Sequence, residues 1–118
     1  DAIDATSDLT IFWSQMSGNM KAESSELADL IFVLAFDCFG NNIAHSGRPY
    51  NAKPFLTYED TSFTIPASAL NTGVSYNLIV EQATADVMRH QGVPGIATYA
   101  TLTFLDAKTT GASVCPVK

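Results

Sequence analysis

The sequence is short of positive charge, of histidine and of cysteine, and each shortage narrows what it can do. Six Lys and Arg stand against twelve Asp and Glu, for a formal charge of −6. The basic residues (Lys21, Lys53, Lys108, Lys118, Arg48 and Arg89) are scattered. No basic stripe exists to neutralise phosphates, so neither nucleic acid nor an anionic membrane surface is an expected partner. The longest apolar run, residues 27–39, has thirteen residues and carries Asp29 and Asp37. A membrane-crossing helix needs about 20 apolar residues, so no membrane insertion is expected. A Gly-rich phosphate loop, a Gly-x-Ser-x-Gly elbow and an Asn-x-Ser/Thr sequon are all missing.

The two cysteines, Cys38 and Cys115, lie 77 positions apart, a spacing that fits neither zinc nor a thioredoxin-type pair. They read as a disulfide that ties down the C-terminal tail, or as two free thiols with one buried. The disulfide is the expectation, because Cys115 sits in an otherwise loose Gly-Ala-Ser-Val-Cys-Pro segment. A disulfide favours an extracytoplasmic setting: periplasm, cell surface or medium. The chain opens at Asp1 without Met, compatible with removal of an export signal and equally with trimming.

Candidates for chemistry are few. His45 and His90 are each flanked by loop residues. His90 beside Arg89 suits an anion or a base, but an exposed loop histidine is the plainer reading. Glu59-Asp60 and Glu23/Glu26 are pairs that solvated turns explain better than acid/base work. Asp1, Asp4 and Asp8 cluster loosely without the Asp-x-Asp-x-Asp-Gly calcium loop. Cys115 is followed by Pro116-Val117-Lys118, without the His and Met of a blue-copper site. No metal, no cofactor and no catalytic residue is expected, so the chain reads as a non-enzyme.

What the chain does contain is a series of strands. Its 118 residues make one domain with one core, and the composition, 47% hydrophobic and 15% charged, is globular. Residues 9–13 alternate, with Leu9, Ile11 and Trp13 on one face. Residues 14–26 form a polar loop with Gly18-Asn19 as its turn. Residues 27–39 are apolar on both faces, Leu30, Phe32, Leu34 and Phe36 against Ile31, Val33 and Ala35. Periodicity leaves a buried helix open there, while Ile, Val and three Phe favour a central strand closed by Gly40-Asn41-Asn42. Residues 43–50 read as a short edge strand broken by Gly47 and Pro49, and 51–61 as a loop in which Phe55, Leu56 and Tyr58 pack back. Phe63-Thr64-Ile65 is a strand stopped by Pro66, and Tyr76 heads another in which Tyr76, Leu78 and Val80 share a face. Residues 83–95 read as a second polar loop, 96–105 as the last strand and 106–118 as a tail.

Leu70-x-x-Gly73-x-x-Tyr76 at the head of a strand resembles the tyrosine corner of Greek-key sandwiches. With Trp13, the apolar strand and the closing alternating strand, it gives residues 9–105 a likeness to fibronectin type III and immunoglobulin-like domains. The resemblance implies an all-β, Ig-like (fibronectin type III-like) Greek-key β-sandwich of about seven strands. Its first strand is short or missing within residues 1–8, and the C-terminal tail is tethered by the disulfide. A fainter likeness, on Leu9-Thr10-Ile11-x-Trp13, Ser17-Gly18 and the long apolar strand, is to secreted domains of Bacteroidetes-type bacteria.

In that topology residues 14–26 and 83–95 meet at one pole, while Cys38 and Cys115 meet at the other. The function expected is a binding module that recognises a protein partner through Met16, Asn19, Lys21, Met88, Arg89 and His90. The loop methionines suit an adaptable interface or cap the core beneath them. Two alternatives come from other classes. One is a subunit of a surface assembly in which residues 1–8 pair with a neighbouring copy. The other is a carbohydrate-binding module that stacks polysaccharide on Tyr50, Phe55 and Tyr58.

Overall fold

A computed structural model of the chain describes residues 2–15, 30–47, 56–57, 59–90 and 93–117, without the side chains of residues 30, 84–90 and 93–99. Among the described residues seven strands follow in order: β1 Leu9–Phe12, β2 Leu30–Asp37, β3 Asn42–His45, β4 Leu56–Thr57, β5 Ser62–Ile65, β6 Ser75–His90 and β7 Val93–Lys108. One short 3₁₀ turn, Ala67–Ala69, lies between β5 and β6. The residues that left helix and strand both open, 30–37, are strand, as their β-branched and aromatic content favours.

The strands form two antiparallel sheets. β1 pairs with β5, and the larger sheet runs β3-β2-β6-β7, with β4 also on β2. Because β6 occupies one side of β2, both β3 and β4 share its other side, at Leu34–Phe36 and Leu30–Ile31 respectively. β3 stops at His45 because Ser46 takes over the ladder: its N–H bonds the Val33 carbonyl and its buried hydroxyl accepts the Val33 N–H at 2.8 Å.

The core lies where alternate residues of the sheets meet. Ile31, Val33 and Ala35 of β2 and Tyr76, Leu78 and Val80 of β6 are buried, opposite Ile65 of β5 and half-buried Leu9, Ile11 and Phe63. Trp13 packs on the Ile31–Val33–Val80 cluster and donates its indole N–H to the Asp60 carbonyl at 2.8 Å. That bond satisfies the ring's one polar group.

Four expectations change. Leu56–Thr57, inside the stretch read as a loop, is β4, paired with Leu30–Ile31 of β2. Residues 83–90 and 93–95, read as a polar loop, are strand: β6 and β7 each run sixteen residues and pair without interruption from Ser75↔Lys108 to His90↔Val93. At ~3.3 Å per residue this hairpin is about 50 Å long, and it accounts for most of the molecule's 59 Å extent. Of segment 1–8, the described residues 2–8 fold on the chain's own body. Ile3 bridges Thr109 in parallel, donating to the Lys108 carbonyl and accepting from the Thr110 N–H, both at 2.9 Å, and Ala5 is buried. The last strand runs three residues past Leu105, into what read as tail.

The tail is fastened twice. Cys38 and Cys115 form a disulfide with their Cα atoms 5.7 Å apart. Backbone bonds join Gly73 N–H to the Thr110 carbonyl and Val114 N–H to the Gly73 carbonyl. Closing a loop of 77 residues stabilises by about 4–5 kcal/mol in the chain-entropy description.

Candidate interaction surface

The residues expected to bind a partner do not form a described cluster. Met16, Asn19 and Lys21 lie outside the described residues, as do Tyr50, Phe55 and Tyr58. Met88, Arg89 and His90 are in the far end of β6, in register with Gly95, Pro94 and Val93. Their side chains are outside the described part.

Several of the polar groups with described side chains are occupied locally. His45 accepts the Gly47 N–H through Nδ1 at 3.1 Å. Asp37 accepts from the N–H groups of Phe39 and Asn41 and from the Asn41 side-chain amide. Those bonds, the Asn41 side chain's foremost, hold its carboxyl below the ordinary 3.8 against the opposing effect of burial. Asp4 is lowered likewise by the Thr6 hydroxyl and N–H. Asp8 accepts the Ala67 N–H, and Asp60 the Thr57 N–H, both at 2.8 Å. Among the described residues, no three His, Cys, Asp or Glu side chains gather in a way that would hold a metal ion. An open groove of about 1010 Å³ at the disulfide end is lined by Asp37, Asp106 and Lys108 among others. Asp37 is engaged in its turn and Asp106 accepts the Asn77 amide at 2.6 Å, while Ser75, also in the lining, stands opposite Lys108 in the β6–β7 register.

The corner at the head of β6 is structural. Tyr76 is buried and its hydroxyl accepts the Asn71 N–H at 2.7 Å. The buried Thr109 hydroxyl accepts the Val74 N–H at 3.0 Å and donates to the Asn71 carbonyl at 2.6 Å. Gly73, at φ +72°, lies so close to the Ala112 carbonyl oxygen that a Cβ would run into it. Leu70 is buried in the same cluster.

The surface that stands out is the outer edge of β7. The direction of its backbone groups follows from two bonds: Thr109 N–H points to Val74 on the β6 side, while the Lys108 carbonyl points away, to Ile3. In an antiparallel ladder these directions alternate residue by residue. Ala107, Leu105, Thr103 and Thr101 therefore bond to β6. Asp106, Phe104, Leu102 and Ala100 point their N–H and C=O groups outward. Among the described residues no strand pairs with this edge between Val93 and Ala107. Pro94, which has no N–H, has the parity whose N–H would point outward, as a proline in an edge strand must.

The side chains along this edge are exposed on both faces from Ala100 to Asp106. Leu102 is 50% and Phe104 67% exposed. The register sets Leu34, Ile79 and Phe104 in one row across the outer face and Phe32, Glu81 and Leu102 in the next. A sheet face turned to water is normally polar, and this one carries five large apolar side chains in two rows. Lys and inward charges, the usual guards of an exposed edge, are missing: residues 93–105 contain no charged residue. The sequence does carry that signal, an uncharged β-rich run of thirteen residues. As an alternating strand it reads equally well as a paired one.

The chain matches no protein-family model, no curated protein and no solved structure.

Proposed function

We propose that this chain is a non-catalytic, extracytoplasmic interaction module, an Ig-like sandwich of the fibronectin type III kind, that binds a protein partner by strand addition along the outer edge of β7. The observation that carries the reading is the run of outward backbone groups at Ala100, Leu102, Phe104 and Asp106, beside exposed Leu102 and Phe104. Backbone pairing supplies affinity in strand addition, and alternate side chains supply selectivity. The Ig-like assignment is supported by the strand order and by the Tyr76 corner. The extracytoplasmic setting is supported by the Cys38–Cys115 bond, since cytosolic thiols are kept reduced. This reading moves the contact from loop tips to the hairpin arm, and residues 1–8 are no longer the augmenting strand.

The test is amide hydrogen exchange of the full chain with a panel of extended, uncharged, Thr/Val-alternating peptides. Strand addition predicts new protection at Ala100, Leu102, Phe104 and Asp106. A panel that protects none of them, in a chain that also does not associate with itself, overturns the reading.

A further inference from the structure

We infer that the strand added to β7 is β7 of a second copy of this chain, antiparallel, about a two-fold axis passing beside Ala100. The inference rests on the strand-addition reading and names its partner.

Three features select a twin. The first is the shape of the free window. It is closed at one end by Ile3, which takes the Lys108 carbonyl and the Thr110 N–H, and at the other by the end of the hairpin, where β7 begins at Val93. Fifteen residues, 93–107, remain, and their midpoint is Ala100. An inverted copy laid on this window with Ala100 opposite Ala100 uses all of it. The hairpin end of each copy then stops just short of the other's Ile3. A register shifted toward the C-terminus drives the incoming hairpin into the Ile3 segment, and one shifted the other way leaves part of the edge unpaired.

The second feature is charge. Two copies of a chain with net charge −6 repel, so a self-contact must avoid setting carboxylates against each other. Asp106 is the one charged residue in the window, and this register sets it opposite the partner's Pro94. No like charges face one another across the seam.

The third is the pairing of side-chain positions and backbone directions. Ala100, Leu102, Phe104 and Asp106 turn their backbone groups outward, and an Ala100-to-Ala100 register sets even-numbered residues against even-numbered ones. Donors therefore meet acceptors from Ile96 to Phe104, and at the ends the Asp106 N–H meets the partner's Pro94 carbonyl, while Pro94, without an N–H, returns no bond to the Asp106 carbonyl. Phe104 falls opposite the partner's Ile96 and Leu102 opposite the partner's Thr98, aromatic and apolar positions against β-branched ones. The smallest residue of the four is at the axis. Because the axis is perpendicular to the sheet, the Leu34–Ile79–Phe104 row continues onto the same face of the second copy. Both copies use the same edge, so the contact closes at a dimer and does not propagate into a fibre.

The experiment is sedimentation of the full, disulfide-bonded chain and of two exposed-site variants, Ala100→Lys and Ala100→Asp. Wild type is expected to show a concentration-dependent dimer. Each variant alone, with like charges opposed at the axis, is expected to dimerise about tenfold more weakly or less. An equimolar mixture of the two restores the dimer. Circular dichroism and the Trp13 fluorescence of each variant establish that it has folded. A mixture no stronger than its components, or variants that dimerise like wild type, overturns the pairing about Ala100. A wild-type chain that stays monomeric while alternating peptides protect its outward amides overturns the twin and leaves strand addition standing. Monomer without peptide protection removes both.

Discussion

The Tyr76 hydroxyl oxygen lies 2.7 Å from the Asn71 nitrogen and accepts its hydrogen, five residues back along the chain. That bond joins the first turn of β6 to the segment that leads into it. The Thr109 hydroxyl then ties Asn71, at one end of the clamp, and Val74, within its span, to the strand end that follows. Replacing Tyr76 by Phe keeps the ring in the core and leaves the Asn71 N–H without its acceptor. The expected loss is about 1–3 kcal/mol in urea unfolding, with an unchanged m-value. No loss would mean that another acceptor reaches that N–H.

Two glycines separate the effect of backbone conformation from that of crowding. Gly40 at φ +87° has open space around a would-be Cβ, whereas at Gly73, φ +72°, the Ala112 carbonyl blocks it. Gly40→Ala is expected to destabilise by about 1–2 kcal/mol, the left-handed penalty alone. Gly73→Ala is expected to lose about 2–4 kcal/mol, because the tail must also move. Equal losses from the two would contradict the close approach at Gly73.

Asp37 predicts an acid-side dependence. Its folded-state carboxyl titrates below the ordinary 3.8, chiefly through the Asn41 side chain. A depressed folded value means that the carboxylate's contribution is fully present above the unfolded value and is lost as the pH falls through the folded one. Wild-type stability should therefore drop below about pH 4 more steeply than that of Asp37→Asn. The comparison is made by urea unfolding at pH 6 and pH 3. Identical pH profiles would contradict the Asn41 interaction.

The parts of this molecule that were legible beforehand are those where burial writes a pattern. Ile31, Val33 and Ala35 alternate because they fill a core, and Leu70, Gly73 and Tyr76 are spaced by the bend they make. Cys38 and Cys115 reached one end because the strands before them end there. The hairpin arm departs from the expected polar loop for a physical reason. Among the described residues, 84–90 pair with β7 alone, past the last β2 partner at Leu30↔Ala83, and a segment held by its ladder needs no hydrophobic period in its sequence. Gly92, Pro94 and Gly95 mark a turn without saying how far the strands reach it. The single parallel bridge of Ile3 was equally silent, since one residue has no period. The free edge at Leu102 and Phe104 was hidden because an alternating strand looks the same whether one side is paired or two.

That free edge of β7 is decisive, and amide exchange of the dilute chain reads it residue by residue. The expected result is an alternation: slow exchange at Thr101, Thr103, Leu105 and Ala107, which donate to β6, and fast exchange at Ala100, Leu102, Phe104 and Asp106, which donate outward. The fast set becomes protected as the chain is concentrated. Equal protection of both sets at high dilution would contradict the claim, because it would mean that the outer side of β7 is already covered.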